Sequence, residues 1–302
     1  MSITASMVSE LRKKTGAGMM DCKKALAETG GNMDDAVDFL RKKGLSAAAK
    51  KSGRIAAEGV VVAAAEGARG VLVEVNAETD FVAKNADFQK FVQGIATLCL
   101  SSEVVDIEEL KTLAFPGTGR TVAEELSHQI ATIGENMSLR RFDRCNAGVG
   151  CVVSYIHGAG KIGVLVELKT SSTDPRVEAL ARQFAMHVAA ANPQYLKREQ
   201  VPLEIVDKEK EIMRVKALDS GKPENIVDKI IVGQINKYFG EVCLLEQDFV
   251  IDPDHKINKI VEKLSKELGV AIELSRFVRY QLGEGIEKKE DDFAAEVAAL
   301  SK

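Results

Sequence analysis

The chain has 302 residues, of which 45% are hydrophobic and 28% charged, and a formal net charge of -4. This is the balance of an ordinary soluble globular protein, long enough for two or more compact units, and its charge gives no overall reason to bind nucleic acid or an anionic membrane. No apolar run approaches the ~18 residues of a membrane span, the N-terminus lacks the apolar core of a signal peptide, and five scattered cysteines without a CxxC pair, beside four histidines, offer no zinc spacing and suit a reducing cytosol. A cytoplasmic, soluble protein without metal or cofactor is expected.

Residues 1–54 read as a small helical domain. Thr4 or Ser6 can cap a first helix running to Lys14, Thr15-Gly16-Ala17-Gly18 is a turn, Met19–Glu28 is a second helix, and Asp34–Lys43 is a third that stops at Gly44. Val37, Leu40 and Leu45 against Val8, Leu11 and Leu26 supply its core. Between Arg12 and Arg54 stand eleven Lys and Arg against five acids, a basic head that reads either as a nucleic-acid footprint or as a solvated or protein-contacting face. The scarcity of aromatic residues there favours the second. Leu45–Gly59, rich in Ala, Lys and Ser, reads as a linker.

Two strand pairs follow. Val60–Ala65 and Gly70–Val75 form a hairpin across Glu66-Gly67-Ala68-Arg69, and Cys151–Ile156 pairs with Gly163–Leu168 across His157–Ile162. The second strands repeat almost letter for letter, Gly-Val-Leu-Val-Glu-Val at 70–75 and Gly-Val-Leu-Val-Glu-Leu at 163–168, so two related α+β halves are implied. Each hairpin leads into an amphipathic helix, Ala86–Leu100 with Phe88, Phe91, Ile95 and Leu98 on one face, and Arg176–Ala191 with Val177, Leu180, Phe184 and Val188. Val122–Ile133 is a further helix between the halves.

From Pro202 to Tyr238 two helices are joined by Ser220-Gly221-Lys222-Pro223. Ile205, Ile212, Val215 and Leu218 on the first can meet Ile226, Val227, Ile230 and Ile235 on the second, forming an inserted hairpin whose seam is either self-satisfied or shared between two copies. Gly240–Val250 returns to strand character, Ile257–Leu268 is helical, Ile272–Leu282 is a strand, and Asp291–Leu300 is a terminal helix with Phe293, Val297 and Leu300 on one side.

The connection after each repeated strand carries the informative difference. The second copy continues Ser172-Thr173-Asp174-Pro175, where Asp174 fits a helix N-cap and Pro175 the first helical position. The first places Asp80-Phe81 at the same point. A Phe in the first turn of a helix projects past the end of the element and gains nothing unless a surface receives it. The repeat leaves two readings balanced: Phe81 folds into its own core, or it meets a partner.

No phosphate-binding G-x-x-x-x-G-K-[ST] loop is present, since Gly158-Ala159-Gly160-Lys161 is followed by Ile162, so the chain should not hydrolyse GTP. His157 lies in a hairpin turn and His187 on a helix face, neither with a Ser or Cys at nucleophile spacing. No catalytic residue is expected. A contact role for His157 is the better reading, because the hairpin tip is exposed.

The run EVNAETDFVAKNADFQKF, which holds Thr79-Asp80-Phe81-Val82, resembles the signature of bacterial elongation factor Ts. LRKKTGAGMMDCKKAL at Leu11–Leu26 and RYQLGEGIEKKEDDFAAEVAALSK at Arg279–Lys302 resemble that family's N-terminal signature and C-terminal module, and Glu135–Arg141 resembles its next strand.

The resemblance implies a non-enzymatic guanine-nucleotide exchange factor for elongation factor Tu in translation elongation. It would bind the GDP complex, displace magnesium and promote GDP release so that GTP can bind. Thr79, Asp80, Phe81 and Val82 would form the partner-binding stretch, from which Asp80 and Phe81 enter the GTPase domain, with Phe81 wedged beneath the magnesium site. Met19, Met20, Lys23 and His157 would make further contacts. The implied architecture is α+β, with a three-helix ubiquitin-associated-like domain (1–54), a core N-terminal half (55–142) and a core C-terminal half (143–200 and 240–282). A helical hairpin (201–239) is inserted, open to dimerisation, and a C-terminal module (283–302) closes the chain. The expected partner is a protein, not a nucleic acid or a membrane.

Overall fold

The computed structural model describes residues 3–221 and 223–287, so the terminal helix read over Asp291–Leu300 lies outside the described residues. The chain is a mixed α+β structure with small antiparallel sheets, divided into two compact units. One holds Val73–Phe142 with the described residues up to Val62 and from Gln281; the other holds Ala63–Leu72 and the described residues of Asp143–Tyr280.

The first unit opens with α1 (Ala5–Thr15), α2 (Met19–Glu28) and α3 (Met33–Lys51). Thr4 caps α1 by accepting the Met7 N–H, Gly16 ends it in the left-handed region, and Asn32 caps α3 through Asp34 and Asp35. Val8, Leu11, Cys22, Ala25, Leu26 and Ala36 form the buried centre, while Leu45, expected in it, is about half exposed. The third helix does not stop at Gly44, and the stretch read as a linker is helical to Lys51. The cause is a helix contact that hydropathy does not show: a Cβ on Gly44 would already touch the Ala131 methyl at 3.7 Å and the Ser127 carbonyl at 3.9 Å.

The three-stranded sheet with order β1-β2-β3 is built from β1 (Glu58–Glu66), β2 (Arg69–Ala77) and β3 (Met137–Asn146). Between β2 and β3 come α4 (Asp80–Ala83), α5 (Ala86–Ser101), α6 (Ile107–Thr112) and α7 (Val122–Ile133). Phe88, Phe91 and Ile95 of α5 are buried, as their spacing requires, and a reciprocal capping box between Thr121 and Glu124 starts α7.

In the second unit β4 (Gly150–His157) and β5 (Ile162–Thr170) pair antiparallel, Cys151 opposite Leu168 and Ile156 opposite Gly163. The sheet order is β4-β5-β8. Helix α8 (Pro175–Ala191) packs Val177, Leu180, Phe184 and Val188 against Val153, Val164, Val166 and Leu168. The hairpin of α9 (Leu203–Asp219) and α10 (Glu224–Val242) follows, then a short pair of β6 (Asp248–Phe249) and β7 (Asp252–Lys256), α11 (Ile257–Leu268) and β8 (Ile272–Gln281).

Residues 240–242 finish α10 rather than starting a strand. In the hairpin the buried contacts join Val206 to Ile235, and Ala217 to Val227 and Ile231, so the helices run antiparallel. Ile212, Val215, Leu218 and Ile226, expected in the seam, are exposed. The small Ala217 marks the line of closest approach, and the larger residues beside it fall outside that phase.

Both repeated strands, β2 and β5, are the middle strand of their sheet, and both are buried almost throughout. Each hairpin also carries, within its first two residues, a glycine whose place leaves no room for a side chain. At Gly59 (φ 123°) a Cβ would stand 2.2 Å from the Val75 carbonyl oxygen, and at Gly150 (φ 143°) one would stand 2.0 Å from that of Leu168.

A glutamate in a buried middle strand must be satisfied or neutralised. Glu167 accepts the Ser275 hydroxyl at 2.7 Å and the Asn146 N–H at 2.9 Å. Glu74 accepts Arg140 at 2.8 Å, Arg141 at 2.6 Å and the Gly283 N–H at 2.8 Å. Burial alone would raise the Glu74 pKa, but the Gly283 N–H and the two guanidiniums outweigh it and hold the carboxyl below the usual range. Substituting Glu74→Gln should therefore cost about 3–5 kcal/mol of stability, the scale of breaking a buried ion pair. Urea unfolding measures it, and a loss under about 1 kcal/mol would show that the network does not hold the strand.

His187 is fully buried, and its Nδ1 accepts the Val250 N–H at 3.2 Å. Its proton is then on Nε2, which donates to the Gln247 amide oxygen at 2.9 Å. Burial lowers its pKa against the opposing Gln247 bond, and burial followed by the Arg120 charge lowers that of His128. Both groups take up protons more readily when unfolded, so the stability they contribute is present above the ordinary histidine value of about 6.5 and is lost as pH falls below it. Denaturation midpoints at pH 7.5 and 5.5 should show a decrease, at most about 1.4 kcal/mol per pH unit for each histidine. A flat profile would contradict the assignment.

Candidate functional site

Strand β2 ends at Ala77, and two residues later the chain makes the single turn of α4. Asn85 then caps α5, its side chain accepting the Asp87 N–H at 2.9 Å and the Phe88 N–H at 3.1 Å. Asn85 thus does for α5 what Asp174 does for α8, where the Asp174 side chain accepts the Arg176 N–H at 2.9 Å. The sequence equated Asp80-Phe81 with Asp174-Pro175. The structure instead interposes α4 as an extra turn in the first copy, and Phe81 stands on that turn.

The turn sorts its side chains sharply. Val82 points inward with 4% exposure, whereas Phe81 is 78% exposed. The Lys84 N–H donates to the Phe81 carbonyl at 3.2 Å and the Asn85 N–H to that of Val82 at 2.9 Å. Gln89 Nε2 donates to the Ala83 carbonyl at 3.1 Å. Asp80 pairs with Lys84 at 2.7 Å, which also brings the Lys84 ammonium 5.8 Å from the Phe81 ring centroid, within reach of a cation–π attraction.

Thr79 precedes α4 in extended conformation without capping it. Its N–H donates to Glu135 Oε2 at 3.0 Å and its hydroxyl to Glu135 Oε1 at 2.7 Å. One residue earlier, Glu78 accepts the Asn136 N–H and faces Arg54 Nη1 at 3.4 Å. The Asn136 side chain donates to the Arg54 carbonyl at 2.7 Å. Sequence reading did not single out Glu78 or Glu135 as site residues. Their only signal was position, an acid at the end of β2 and another directly after the Gly134 cap of α7.

The other expected contacts fall in two places. Met19 and Met20, 60% and 72% exposed, share a face with the exposed Lys23 on the first turns of α2, while Cys22, Ala25 and Leu26 point into the core. Two adjacent methionines both in water make an apolar surface feature on this helix. His157 lies in the other unit, exposed at the end of β4, with the Tyr155 hydroxyl 3.1 Å from its Nδ1.

Two of the buried cysteines are poor nucleophiles. Burial pushes Cys145 up to about 12 and Cys243 up to about 11, so both thiols stay protonated at neutral pH. Among the described residues no group of three or more His, Cys, Asp or Glu could hold a metal ion, and no helix is long and apolar enough to cross a membrane. What can act at Thr79–Val82 is shape: a ring held in water on a braced turn.

Fold and site together define an α+β protein that presents an exposed aromatic between a buried strand and a helix. The family model for elongation factor TS matches residues 78–284. A curated protein named elongation factor Ts from Syntrophotalea carbinolica is 69% identical over 100% of both chains. Those of Magnetococcus marinus and Clostridium perfringens are 56% and 52% identical over 99% of each chain. The chain belongs to the elongation factor Ts family.

The local geometry makes a paired prediction. Phe81→Ala should change the unfolding free energy by less than about 0.5 kcal/mol, as surface substitutions do, whereas Val82→Ala should cost about 1.5–3 kcal/mol. Equal losses in urea unfolding would mean that Phe81 is packed in solution.

Proposed function

We propose that this chain is a guanine-nucleotide exchange factor for elongation factor Tu in translation elongation, that it works in the cytoplasm, and that it is not an enzyme. It binds the GDP complex, displaces magnesium and promotes GDP release so that GTP can enter. The supporting observation is the 78% exposure of Phe81 on a turn braced from behind, and family membership supplies the context.

In this reading Thr79, Asp80, Phe81 and Val82 form the turn that meets the GTPase, and Phe81 enters beneath its magnesium site. Magnesium requires near-octahedral coordination, so a small displacement of its surroundings weakens metal and nucleotide together. Exchange follows from differential binding: the factor prefers the nucleotide-free partner, and linkage makes each ligand weaken the other by one factor. Burying a Phe gives roughly 1.5–3 kcal/mol, about ten- to two-hundredfold in an equilibrium. Phe81 is then the largest single wedge but not the whole effect, and Met19, Met20, Lys23 and His157 hold the partner while it acts.

The architecture assigned with this function has a ubiquitin-associated-like domain over 1–54. The core is duplicated, with halves at 55–142 and at 143–200 with 240–282. Its two middle strands carry matching glutamates, and the strand paired before each carries a matching glycine. The hairpin at 201–239 is inserted and is the surface for any self-association, since Val215, Leu218 and Val232 remain about half exposed beside its seam. Residues 283–302 are assigned as a C-terminal module, whose residues beyond 287 lie outside the described residues. The partner is a protein, with no nucleic acid or membrane.

Release of labelled GDP from elongation factor Tu tests the function. This protein should accelerate it, and Phe81→Ala should lower that acceleration by about one to two decades. Undiminished acceleration by the variant would remove Phe81 from the mechanism.

A further inference from the structure

A single helical turn is not stable by itself, and an exposed Phe beside apolar surface lowers its free energy by lying down on it. That α4 nonetheless holds Phe81 in water requires a brace, and the structure supplies it from a distant part of the chain. The loop before α4 and the loop after α7 exchange carboxylates. Glu135 takes both the N–H and the hydroxyl of Thr79, at 3.0 and 2.7 Å. Glu78 takes the N–H of Asn136, whose side chain is fixed on the Arg54 carbonyl at 2.7 Å. Two backbone N–H groups that neither helix nor strand satisfies are thus each paired with the other loop's acid.

We propose that Glu135 is a positioning residue for the Phe81 turn: by gripping Thr79 through two bonds it fixes the backbone two residues ahead of Phe81 and keeps the ring directed outward before any partner arrives. The Asn136 N–H bond to Glu78 and the Asn136 side-chain bond to the Arg54 carbonyl fix the backbone next to Glu135. The proposal rests on the reading of Phe81 as the inserted side chain. A carboxylate accepting two hydrogen bonds from one residue binds more strongly than a neutral acceptor and constrains its direction, so the ordering cost is met within the free protein and not during association.

The experiment follows labelled GDP release from elongation factor Tu at increasing concentrations of the full-length protein. Glu135→Ala is expected to lower the maximal rate about tenfold, the scale of a lost hydrogen bond to a charged group. The half-saturating concentration should stay within about twofold, because the gripping surfaces elsewhere are intact. Glu135→Gln, which keeps an oxygen for the Thr79 hydroxyl, should recover most of the rate. Thr79→Val should behave like Glu135→Ala, and the double variant should be no slower than either single one, as partners in one interaction require.

A separate readout needs no partner. The sequence contains no tryptophan, so Phe81→Trp introduces a unique fluorophore, and adding Glu135→Ala should lower its anisotropy while leaving the thermal midpoint nearly unchanged. If Phe81→Ala slows exchange but Glu135→Ala and Thr79→Val do not, or if the anisotropy is indifferent to Glu135, the positioning role is overturned and the reading of Phe81 stands. If Phe81→Ala leaves exchange intact, that reading fails, while the anisotropy still reports whether Glu135 holds the turn. Should Glu135→Ala fail to fold, Thr79→Val carries the same comparison.

Discussion

A phenylalanine kept in water is a constraint that a fold must maintain against its own tendency to collapse. Burying that ring would return roughly 1.5–3 kcal/mol, a sizeable part of the 5–15 kcal/mol by which a domain is stable. The turn at 79–85 resists the collapse by fixing backbone on both sides of the ring. Glu135 grips Thr79, Val82 plugs the core below, and Asn85 starts the next helix without slack. The stabilisation forgone in the free chain is what a partner's pocket can recover.

The precision of this turn descends from the strand that feeds it. Strand β2 is buried on both faces, and its one acid is neutralised by Arg140, Arg141 and the Gly283 N–H. A strand pinned in that way delivers Ala77 to a defined point, and Glu78 and Thr79 are then clamped by residues that precede β3. The companion strand β5 has the same station and a matching glutamate, but its exit leads directly into α8 through Asp174 and Pro175. Similar strands therefore carry different connections, and only the first interposes a turn with an outward aromatic.

Much of the fold was legible because it rests on local periodicity. The helices at Val122–Ile133 and Ile257–Leu268 have the expected bounds, and the β4–β5 hairpin pairs in the expected register. The misses share a physical origin in contacts distant in sequence. Gly44 reads as a stop, yet lies in the middle of α3 because α7 approaches it. The seam of α9 and α10 follows the small Ala217 and not the larger Val215 and Leu218. At the site, comparison of the two repeats picked out Phe81 but left its direction open between core and partner, and the motif resembled a family to which the chain belongs. Glu135 was not picked out, since an acid following a helix cap has no periodicity, and its pairing with Thr79 spans fifty-six residues.

In the proposed function, the ring exposed in the free protein becomes enclosed by the nucleotide-free partner. Acrylamide quenching of the single indole in a Phe81→Trp variant, with and without nucleotide-free elongation factor Tu, measures this directly. Strong quenching is expected in the free protein and marked protection in the complex, reversed when GDP is added in excess. Equal quenching in both states, with the complex demonstrably formed, would contradict that enclosure.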